Sequence, residues 1–385
     1  MLNRTPLVAL AALASLVIGC SQSPSNGPAD LRGGGAGDLA NTHFDLAVKR
    51  DLSTVEGDLG DGVTDLSVAS DDGAIASDDL APPGQDMEPL GQDMTTSDLA
   101  MAPGGFTTIF TILLENHDYA EIVGSPDAPY INSLIADYGL ATNYMDSGIH
   151  PSNPNYLELV SGATVYNSFG LVDCDPTGSC GFGVFGTFPV DKDNLGNQLQ
   201  QAGIPWRTYE ESMGKACSLS GAGSYAPKHD PFLYFKDIQN GANNLCADTN
   251  VDYSQFAADL QAGTYRYMWI TPNLTSDGHD PQFDPVSGLK VSDAWLKIEV
   301  AKIIASPVFQ KGGILFITWD EAEGRNGDSK DQVPMIIVSP NIKMQGFQSN
   351  AAYSHASYLA TVEDLFKLPR LGNAAGKPNM MEFFK

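Results

Sequence analysis

Positive charge is scarce in this sequence. Its 21 lysine and arginine residues stand against 47 aspartate and glutamate residues, for a net charge of −26 at pH 7. A protein that binds nucleic acid neutralises phosphates with basic side chains, so this balance excludes nucleic acid from the expected partners.

The sequence also lacks a hydrophobic run long enough to cross a bilayer as a mature helix. The apolar run at residues 7–18 follows Arg4 and ends at Gly19-Cys20, an order that predicts a secretory signal. Residues 17–20 (VIGC) resemble a bacterial lipoprotein processing box, in which the cysteine becomes the lipid-bearing N-terminus. We therefore predict a lipoprotein signal peptide at residues 1–19 and lipidation of Cys20. The alternative is an ordinary signal peptide with an incidental cysteine.

The residue directly after the predicted lipidation site is Ser21 rather than an aspartate. This favours an exported protein anchored by lipid in the cell envelope, at the outer membrane if the cell has one. The domain would then face either the periplasm or the cell surface.

Aromatic residues are nearly absent from residues 20–105, where Phe44 is the single example. Such a segment cannot bury enough apolar surface to fold, so we predict a disordered acidic linker. An Asp-Leu pair recurs at a spacing close to seven, from Asp38-Leu39 to Asp98-Leu99. One apolar residue per repeat leaves no coiled-coil seam to bury, which favours a solvated stalk, with weak calcium binding as the alternative.

Cysteine is scarce as well, with five in the chain and none in a CxxC spacing. A zinc site made of cysteines is therefore not expected. Besides Cys20 the chain contains Cys174, Cys180, Cys217 and Cys246. An even number in an exported chain favours two disulfides, and Cys174–Cys180 with Cys217–Cys246 is the simplest of three pairings.

Residues 106–385 are predicted to form one domain with a large core. Apolar strand-like runs alternate with segments of helical periodicity in this part of the chain. The predicted strands are residues 106–114, 140–144, 204–209, 265–271, 313–319 and 333–338. The pattern predicts an α/β fold with a mostly parallel central sheet and helices on both faces.

Polar side chains follow several of these strands. Glu115 and Asn116 come directly after the first, Asp277 and His279 after the strand at residues 265–271, and Asp320-Glu321 after GILFITW. Ligands of open α/β sheets bind at the carboxyl ends of strands, so these side chains are expected to meet at one edge.

Ser152 stands just before a predicted helix in the stretch HPSNPNYLELVSG (residues 150–162). Pro154 suits a first helical turn, where its missing N–H costs nothing. One interpretation is that Ser152 only caps this helix. The other is that it is a nucleophile and that the free N–H groups of the helix hold the oxygens of a phosphoryl group.

Carboxylates, an amide, a hydroxyl and imidazoles at one edge are a ligand set for a divalent cation. A metal beside Ser152 lowers the pKa of its hydroxyl and offsets charge on a transferred phosphoryl group. His117 is left out of this metal set, and His229 with Asp230 is interpreted as structural because neither has an obvious companion in sequence. The metal is zinc, calcium, magnesium or manganese.

Five motifs together resemble one family. Glu115-Asn116-His117, HPSNPNYLELVSG, TPNLTSDGHD (residues 271–280), TWDEAEG (318–324) and YSHAS (353–357) occur in the order seen in bacterial phosphoesterases. These include phospholipases C and respiratory-burst-type acid phosphatases, which belong to the alkaline-phosphatase-like superfamily.

The resemblance implies roles for individual residues. Ser152 is the nucleophile, His150 a proton donor or phosphate ligand, and Asn116 and Asn155 are phosphate contacts. The implied metal ligands are Glu115, Asn116, Ser152, Asp277, His279, Asp320, Glu321 and His355. Glu321 stands where many superfamily members have histidine, which does not favour a full two-zinc site.

The resemblance also separates two chemistries. Sulfatases of the superfamily need Cys or Ser, then any residue, Pro, any residue and Arg, whereas Tyr156 stands at the arginine position here. We therefore predict a metal-dependent hydrolase of phosphate esters, either an acid phosphatase on small molecules or a phospholipase C on phospholipids. The alternative is an inactive cell-surface binding protein with the same fold.

Overall fold

The computed structural model describes residues 105–163, 173–180, 186–279, 288–323 and 331–385, without the side chains of residues 179, 180 and 186. The predicted signal peptide, the lipidated Cys20 and the acidic linker up to residue 104 lie outside the described residues and stay predictions. No helix in the described ranges combines the length and apolar character needed to span a membrane.

The described residues form an eight-stranded sheet in the order β11-β2-β10-β9-β1-β8-β6-β7 and two small two-stranded sheets, β12-β3 and β4-β5. In chain order the strands are β1 Ile109–Leu114, β2 Gly139–Ala141, β3 Tyr144–Met145, β4 Gly178–Cys180, β5 Gly186–Phe188, β6 Trp206–Glu210, β7 Asn250–Asp252, β8 Tyr267–Thr271, β9 Ile314–Trp319, β10 Met335–Val338, β11 Phe347–Ser349 and β12 Tyr353–Ser354.

Helices separate most of these strands, as predicted. They are α1 Tyr119–Ile122, α2 Pro129–Asp137, α3 Asn153–Ser161, α4 Leu195–Gln201, α5 Lys236–Gln239, α6 Leu245–Thr249, α7 Phe256–Ala262, α8 Gly288–Ala305, α9 Pro307–Gln310 and α10 His355–Phe366.

Helices cover both faces of the central strands, as the alternation of side chains in β1 shows. Thr111 bonds to Tyr358 of α10, whereas the ring of Phe110 lies 6.4 Å from that of Phe309 in α9. Neighbouring residues of a strand point to opposite faces, so α10 and α9 lie on different sides of the sheet. The predicted α/β architecture is confirmed.

Two strands differ from expectation. The strand predicted at residues 140–144 is divided into β2 and β3, and the two pair with different partners. In addition, β10 runs antiparallel to both β9 and β2, while the other pairs of the large sheet are parallel. An apolar run such as VPMIIV indicates burial on both faces but not strand direction.

Helix α3 begins and ends as the sequence indicates. Pro154 occupies its first turn, and Gly162 ends it in the left-handed conformation with φ of 67°. A Cβ at Gly162 would stand 2.4 Å from the carbonyl oxygen of Leu371, so both the backbone angle and the contact require glycine.

One predicted disulfide is confirmed and the other is partly described. Cys217 and Cys246 are joined across 29 residues. Cys174 is also disulfide-bonded, but the side chain of Cys180 lies outside the described atoms, so its pairing stays a prediction.

Candidate active site

The register of β1 and β9 brings Glu115 and Asp320 together. Leu114 pairs with Trp319 at the ends of these strands, so Glu115 and Asp320 follow at the same level. The amide of Asp320 donates to Leu114 O at 2.9 Å, and that of Glu115 donates to Asp277 O at 3.0 Å. Glu115, Asp277 and Asp320 are all fully buried, which confirms that the strand ends share one edge.

Asn116 connects the two strand ends. Its backbone N–H donates to Asp320 Oδ1 at 3.1 Å, and its side-chain Nδ2 donates to Glu321 Oε1 at 3.1 Å. Its φ of 43° is uncommon for a residue other than glycine. This backbone conformation is stabilised by the two bonds and turns the chain away from the sheet at Glu115.

Ser152 does not cap α3, although it occupies the N-cap position. Within the described residues its side chain makes no capping hydrogen bond. The hydroxyl instead donates to Glu115 Oε2 at 3.1 Å, and the residue is 2% exposed. This geometry favours the interpretation in which the hydroxyl faces the carboxylates.

The start of α3 differs from the predicted phosphate cradle. The N–H of Asn153 donates to Asp173 Oδ1 at 3.0 Å, Pro154 has no N–H, and that of Asn155 donates to Ser152 O at 2.9 Å. The first three helical positions therefore offer no free N–H to a phosphoryl group. A carboxylate from a distant loop already fills the place predicted for an anion.

Lys228 lies close to this helix start and was missed in the sequence. Its ammonium group pairs with Asp173. Burial lowers the pKa of Lys228, but the carboxylates of Glu115 and Asp173 raise it by more, so the net direction is upward. Lys228 therefore brings a stable positive charge to an edge that is otherwise rich in carboxylates.

His229 is the second residue that sequence reasoning left out of the site, and the structure places its ring beside Glu115. Its Nε2 lies 3.2 Å from Glu115 Oε1, and its ring is stacked on Tyr156 at 5.2 Å between centroids. Burial lowers its pKa. The signal in the sequence was Lys-His-Asp before the apolar stretch PFLYF (residues 231–235), a polar group directly beside a buried one.

The Glu115 carboxylate accepts two hydrogen bonds and has two imidazole rings nearby. Oε2 accepts the Ser152 bond, while Oε1 accepts one from the hydroxyl of Tyr156 at 2.6 Å. His229 lies beside Oε1, and Nδ1 of His279 stands 3.8 Å from Oε2. The hydroxyls of Ser152 and Tyr156 are the hydrogen-bond donors that keep this fully buried carboxylate in place, while the two imidazoles lie near it without a hydrogen bond.

Glu321 anchors the other side of the edge. Its Oε2 lies 2.6 Å from His150 Nδ1 and 3.3 Å from Asn155 Nδ2. The hydrogen bond from His150 to Glu321 is the main reason that the pKa of His150 rises to about 9. Asn155 also donates to Ile149 O at 3.1 Å and accepts from Ser147 N at 2.9 Å. As placed, its amide secures the loop before Ser152; its predicted contact with phosphate stays a prediction.

Asp277, His279 and His355, which were also predicted as metal ligands, differ in how exposed they are and in whether their ligand atoms are already hydrogen-bonded. Asp277 Oδ1 accepts the N–H of His279 at 3.0 Å, and the side chain of His279 is 39% exposed. His355 is buried between Tyr144 Oη at 3.0 Å and the carbonyl of Asp320 at 2.6 Å, so neither ring nitrogen is available to a metal as placed. Burial lowers the pKa of His355 to about 4.

His117, which was left out of the metal set, is indeed held elsewhere. Its ring nitrogens lie 3.2 Å from Glu121 Oε2 and 3.1 Å from Gly278 O. The ring therefore joins the chain turn after β1 to the loop after β8, and this gives His117 a supporting place.

The edge has acceptors that no donor satisfies. Asp320 Oδ2 and Asn116 Oδ1 are buried and have no hydrogen-bond partner among the described residues. Burial, and then the charges of Glu115 and Glu321, raise the pKa of Asp320 well above its usual range. Unsatisfied oxygen acceptors among like charges are what a divalent cation stabilises, so these residues fit the predicted metal.

The comparison with known families decides the classification. The profile of the phosphoesterase family matches residues 124–369. The chain belongs to the phosphoesterase family. That match includes Ser152, Asp277, His279, Asp320, Glu321 and His355, whereas Glu115 and Asn116 precede it. The predicted enzyme class, a phosphoric ester hydrolase, is confirmed.

Two curated relatives are phosphatases. The Mycobacterium tuberculosis phosphatidylinositol-3-phosphatase is 29% identical over 283 residues, which are 72% of this chain and 83% of that protein. The phosphate-repressible acid phosphatase of Penicillium chrysogenum is 26% identical over 69% of this chain, which spans only 60% of that longer protein.

One solved structure that matches this chain comes from Vibrio parahaemolyticus and is described as a protein in the alkaline phosphatase superfamily. It has 14% sequence identity and a TM-score of 0.45 to this phosphoesterase, with 74% of this chain and 76% of that chain covered.

Proposed function

We propose that this phosphoesterase is an exported, metal-dependent enzyme of the acid phosphatase type, which removes phosphate from monoesters through Ser152. The observation that carries the proposal is the bond from the buried Ser152 hydroxyl to Glu115 Oε2 in place of a helix-capping bond. A hydroxyl at a carboxylate-lined edge, with Lys228 nearby, is arranged for attack on an anionic ester rather than for helix stability.

The chain's own residues account for the first bond change. Ser152 Oγ attacks phosphorus, an Oγ–P bond forms, the bond from phosphorus to the leaving oxygen breaks, and the hydroxyl proton has an acceptor in Glu115 Oε2. The positive charge of Lys228 favours the approach of the phosphate ester. Water then attacks phosphorus, a new P–O bond forms, the Oγ–P bond breaks and phosphate is released, while Ser152 Oγ takes back the proton held by Glu115.

A divalent metal fits beside Asp320 Oδ2 and Asn116 Oδ1, with Glu115 and Glu321 as further oxygen ligands. When bound, such an ion lowers the pKa of a nearby hydroxyl and offsets charge on the phosphoryl group. Asn116 would orient the site, since its backbone N–H donates to Asp320 and its side-chain Nδ2 donates to Glu321.

We propose monoester hydrolysis rather than phospholipase C activity because of the activities for which the curated relatives are named. The mycobacterial and Penicillium proteins are both named as phosphatases, which remove a terminal phosphate. A phosphate monoester is therefore the proposed substrate class, and a phospholipid phosphodiester is the competing one.

The deciding assay uses the purified chain without its signal peptide on p-nitrophenyl phosphate and on phosphatidylcholine, with and without chelator. Ser152→Ala should lower the rate of phosphate release at least about 10³-fold, because the attacking atom is lost. Ser161→Ala is the matched control, since Ser161 lies in the same helix and donates to Leu157 O. Rapid-quench mass spectrometry should find phosphate on the Ser152 peptide of the wild type. Full activity of Ser152→Ala would exclude the covalent step, and cleavage of phosphatidylcholine alone would exclude the monoester proposal.

We further propose export and lipid anchoring through Cys20. The Cys217–Cys246 disulfide supports an oxidising compartment. In a bacterial host, Cys20→Ser should abolish incorporation of labelled palmitate and release the protein from the membrane fraction. Equal labelling of the variant and the wild type would contradict the anchor.

A further inference from the structure

Three side chains of metal-binding type converge on the loop that leads to Ser152. Asp146, His150 and Asp331 each offer a ligand atom, and these atoms lie within 4.8 Å of one another. His150 contacts Glu321 of the carboxylate edge through Nδ1, so the group stands beside that edge rather than within it. Asp146 and Asp331 are absent from the metal set predicted from sequence.

We propose that Asp146, His150 and Asp331 form a second divalent-cation site, of the zinc or manganese class, next to the nucleophile loop. This goes beyond the proposed hydrolase, whose own cation fits at Asp320 and Asn116.

The hydrogen bonding of His150 selects the ring nitrogen that faces the site. Nδ1 lies 2.6 Å from Glu321 Oε2, so Nδ1 carries the proton that this carboxylate accepts. The lone pair of a neutral ring is then on Nε2. A histidine that donates one N–H to a carboxylate while its other nitrogen faces a metal is the usual arrangement in metal sites.

The distances around Nε2 do not fit hydrogen bonds. Nε2 stands 4.0 Å from Asp146 Oδ2 and 3.6 Å from Asp331 Oδ1, beyond the range of about 2.7–3.2 Å for an N–H···O bond. Both Nε2 and Asp331 Oδ1 are buried atoms without a hydrogen-bond partner in the described residues.

The distances from Nε2 to the two carboxylate oxygens are close to the separation of two ligand atoms on one ion. Atoms held about 2.0–2.2 Å from a tetrahedral metal stand about 3.4 Å from each other. A small inward movement of the two aspartates reaches that spacing. One imidazole with two carboxylates also has the composition that zinc and manganese accept, and two negative charges balance a divalent ion.

The backbone holds the ligands in place before any ion arrives. The N–H of Asp146 donates to Asp331 O at 2.8 Å. The Asp146 carboxylate accepts the N–H of Gly148 at 2.6 Å and that of Ala322 at 3.0 Å, and each oxygen keeps a lone pair for a metal. The side chains of His150 and Asp331 are 34% and 33% exposed, which leaves a route for the ion.

A bound cation has two consequences for the hydrolase. It stabilises the loop at residues 146–151, which leads directly into Ser152. It also leaves Nε2 of His150 without a proton, so His150 cannot serve as the proton donor that the family resemblance implies.

The test is the stoichiometry of metal binding to the chelated mature chain. Zinc titration by calorimetry, checked by elemental mass spectrometry, should give two ions for the wild type and one for Asp331→Asn. Asp191→Asn, which removes the same charge from an exposed position, should keep two. Asp320→Asn should lose the other ion, so the two sites are scored independently of each other and of activity.

A second measurement examines the ligand directly. In ¹⁵N-histidine spectra, zinc should shift Nε2 of His150 in the wild type and in Asp191→Asn but not in Asp331→Asn, and Asp331→Glu should restore the shift in part. Melting temperatures of the variants confirm that each is folded. Unchanged stoichiometry in Asp331→Asn, or a His150 ring that stays doubly protonated near neutral pH with zinc present, would overturn the proposal.

Discussion

Two pairs of acidic residues follow buried strands of the same sheet, and the structure uses them differently. Asp320-Glu321 follows β9, and Glu210-Glu211 stands at the end of β6. Glu210 Oε1 accepts a bond from Thr271 at 3.2 Å, and Glu211 accepts bonds from Asn273 N at 3.0 Å and Trp295 Nε1 at 3.3 Å. Asp320 keeps a buried oxygen without a partner among the described residues.

The neighbouring strand makes the difference. Strand β1 lies beside β9 and brings Glu115 and Asn116, whereas β8 lies beside β6 and brings the hydroxyl of Thr271. Burial raises the pKa of both Asp320 and Glu210 well above the usual range. A raised pKa is thus common to Asp320 and Glu210, and what marks the candidate site is the position of Asp320 beside Asn116, Glu115 and the Ser152 hydroxyl.

The largest contrast is expected in activity. Asp320→Asn should lower kcat/KM for an aryl phosphate by at least about 10³-fold, because it removes a metal ligand at the nucleophile. Glu210→Gln keeps the shape and an acceptor for Thr271, so it should stay within about threefold of wild type. Phosphate release under identical metal conditions measures both. Equal losses in the two variants would mean that the acid pairs do not differ in role.

Removal of the metal should change the stability of variants in the two acid pairs by different amounts. If an ion binds the folded chain, saturation at about 100 times its dissociation constant adds about 2.7 kcal/mol. Chelator should therefore lower the melting temperature of wild type and of Glu210→Gln alike, and lower that of Asp320→Asn by less. Calorimetry with and without chelator checks this, and an identical shift in all three proteins would place the ion elsewhere.

The free energy of unfolding is expected to depend on pH through a carboxyl group beside the β6 pair. Asp230, whose charge acts on Glu210, has its pKa raised to about 7, mainly by burial. The folded chain therefore holds a proton that the unfolded chain releases above pH ~4, so the free energy of unfolding should fall as pH rises from about 4 to 7, by up to about 1.4 kcal/mol per unit. Asp230→Asn removes this titration and should flatten the profile in urea denaturation. A slope unchanged by the substitution would assign the effect to other groups.

The smallest expected effect belongs to Glu211. Glu211→Ala leaves Asn273 N and Trp295 Nε1 without their acceptor and should lower the free energy of unfolding by about 1–3 kcal/mol. The rate of hydrolysis should change by less than about threefold, since neither partner reaches Ser152. Urea midpoints and steady-state rates measured on one preparation test both statements; a large loss of kcat in a stable variant would extend the site to β6.

Much of the edge was predictable because its signals are local. An apolar run that stops at Glu115 or Asp320 marks the end of a buried strand, and Pro154 with Gly162 marks the limits of α3. Strand ends of a parallel sheet collect on one side, so these residues could be brought together without coordinates. The same local patterns underlie the family resemblance that the profile match confirmed.

The sequence by itself therefore determined the strand ends, the helix start at Ser152 and the family of this phosphoesterase. Only the tertiary structure decided that the Ser152 hydroxyl faces Glu115, that Asp173 occupies the start of α3, that His229 and Lys228 reach the edge, and that β10 is antiparallel. Hydrogen-bond partners and charges in these cases come from positions far apart in the chain. No periodicity or spacing records such contacts, because they depend on which strand lies beside which after folding.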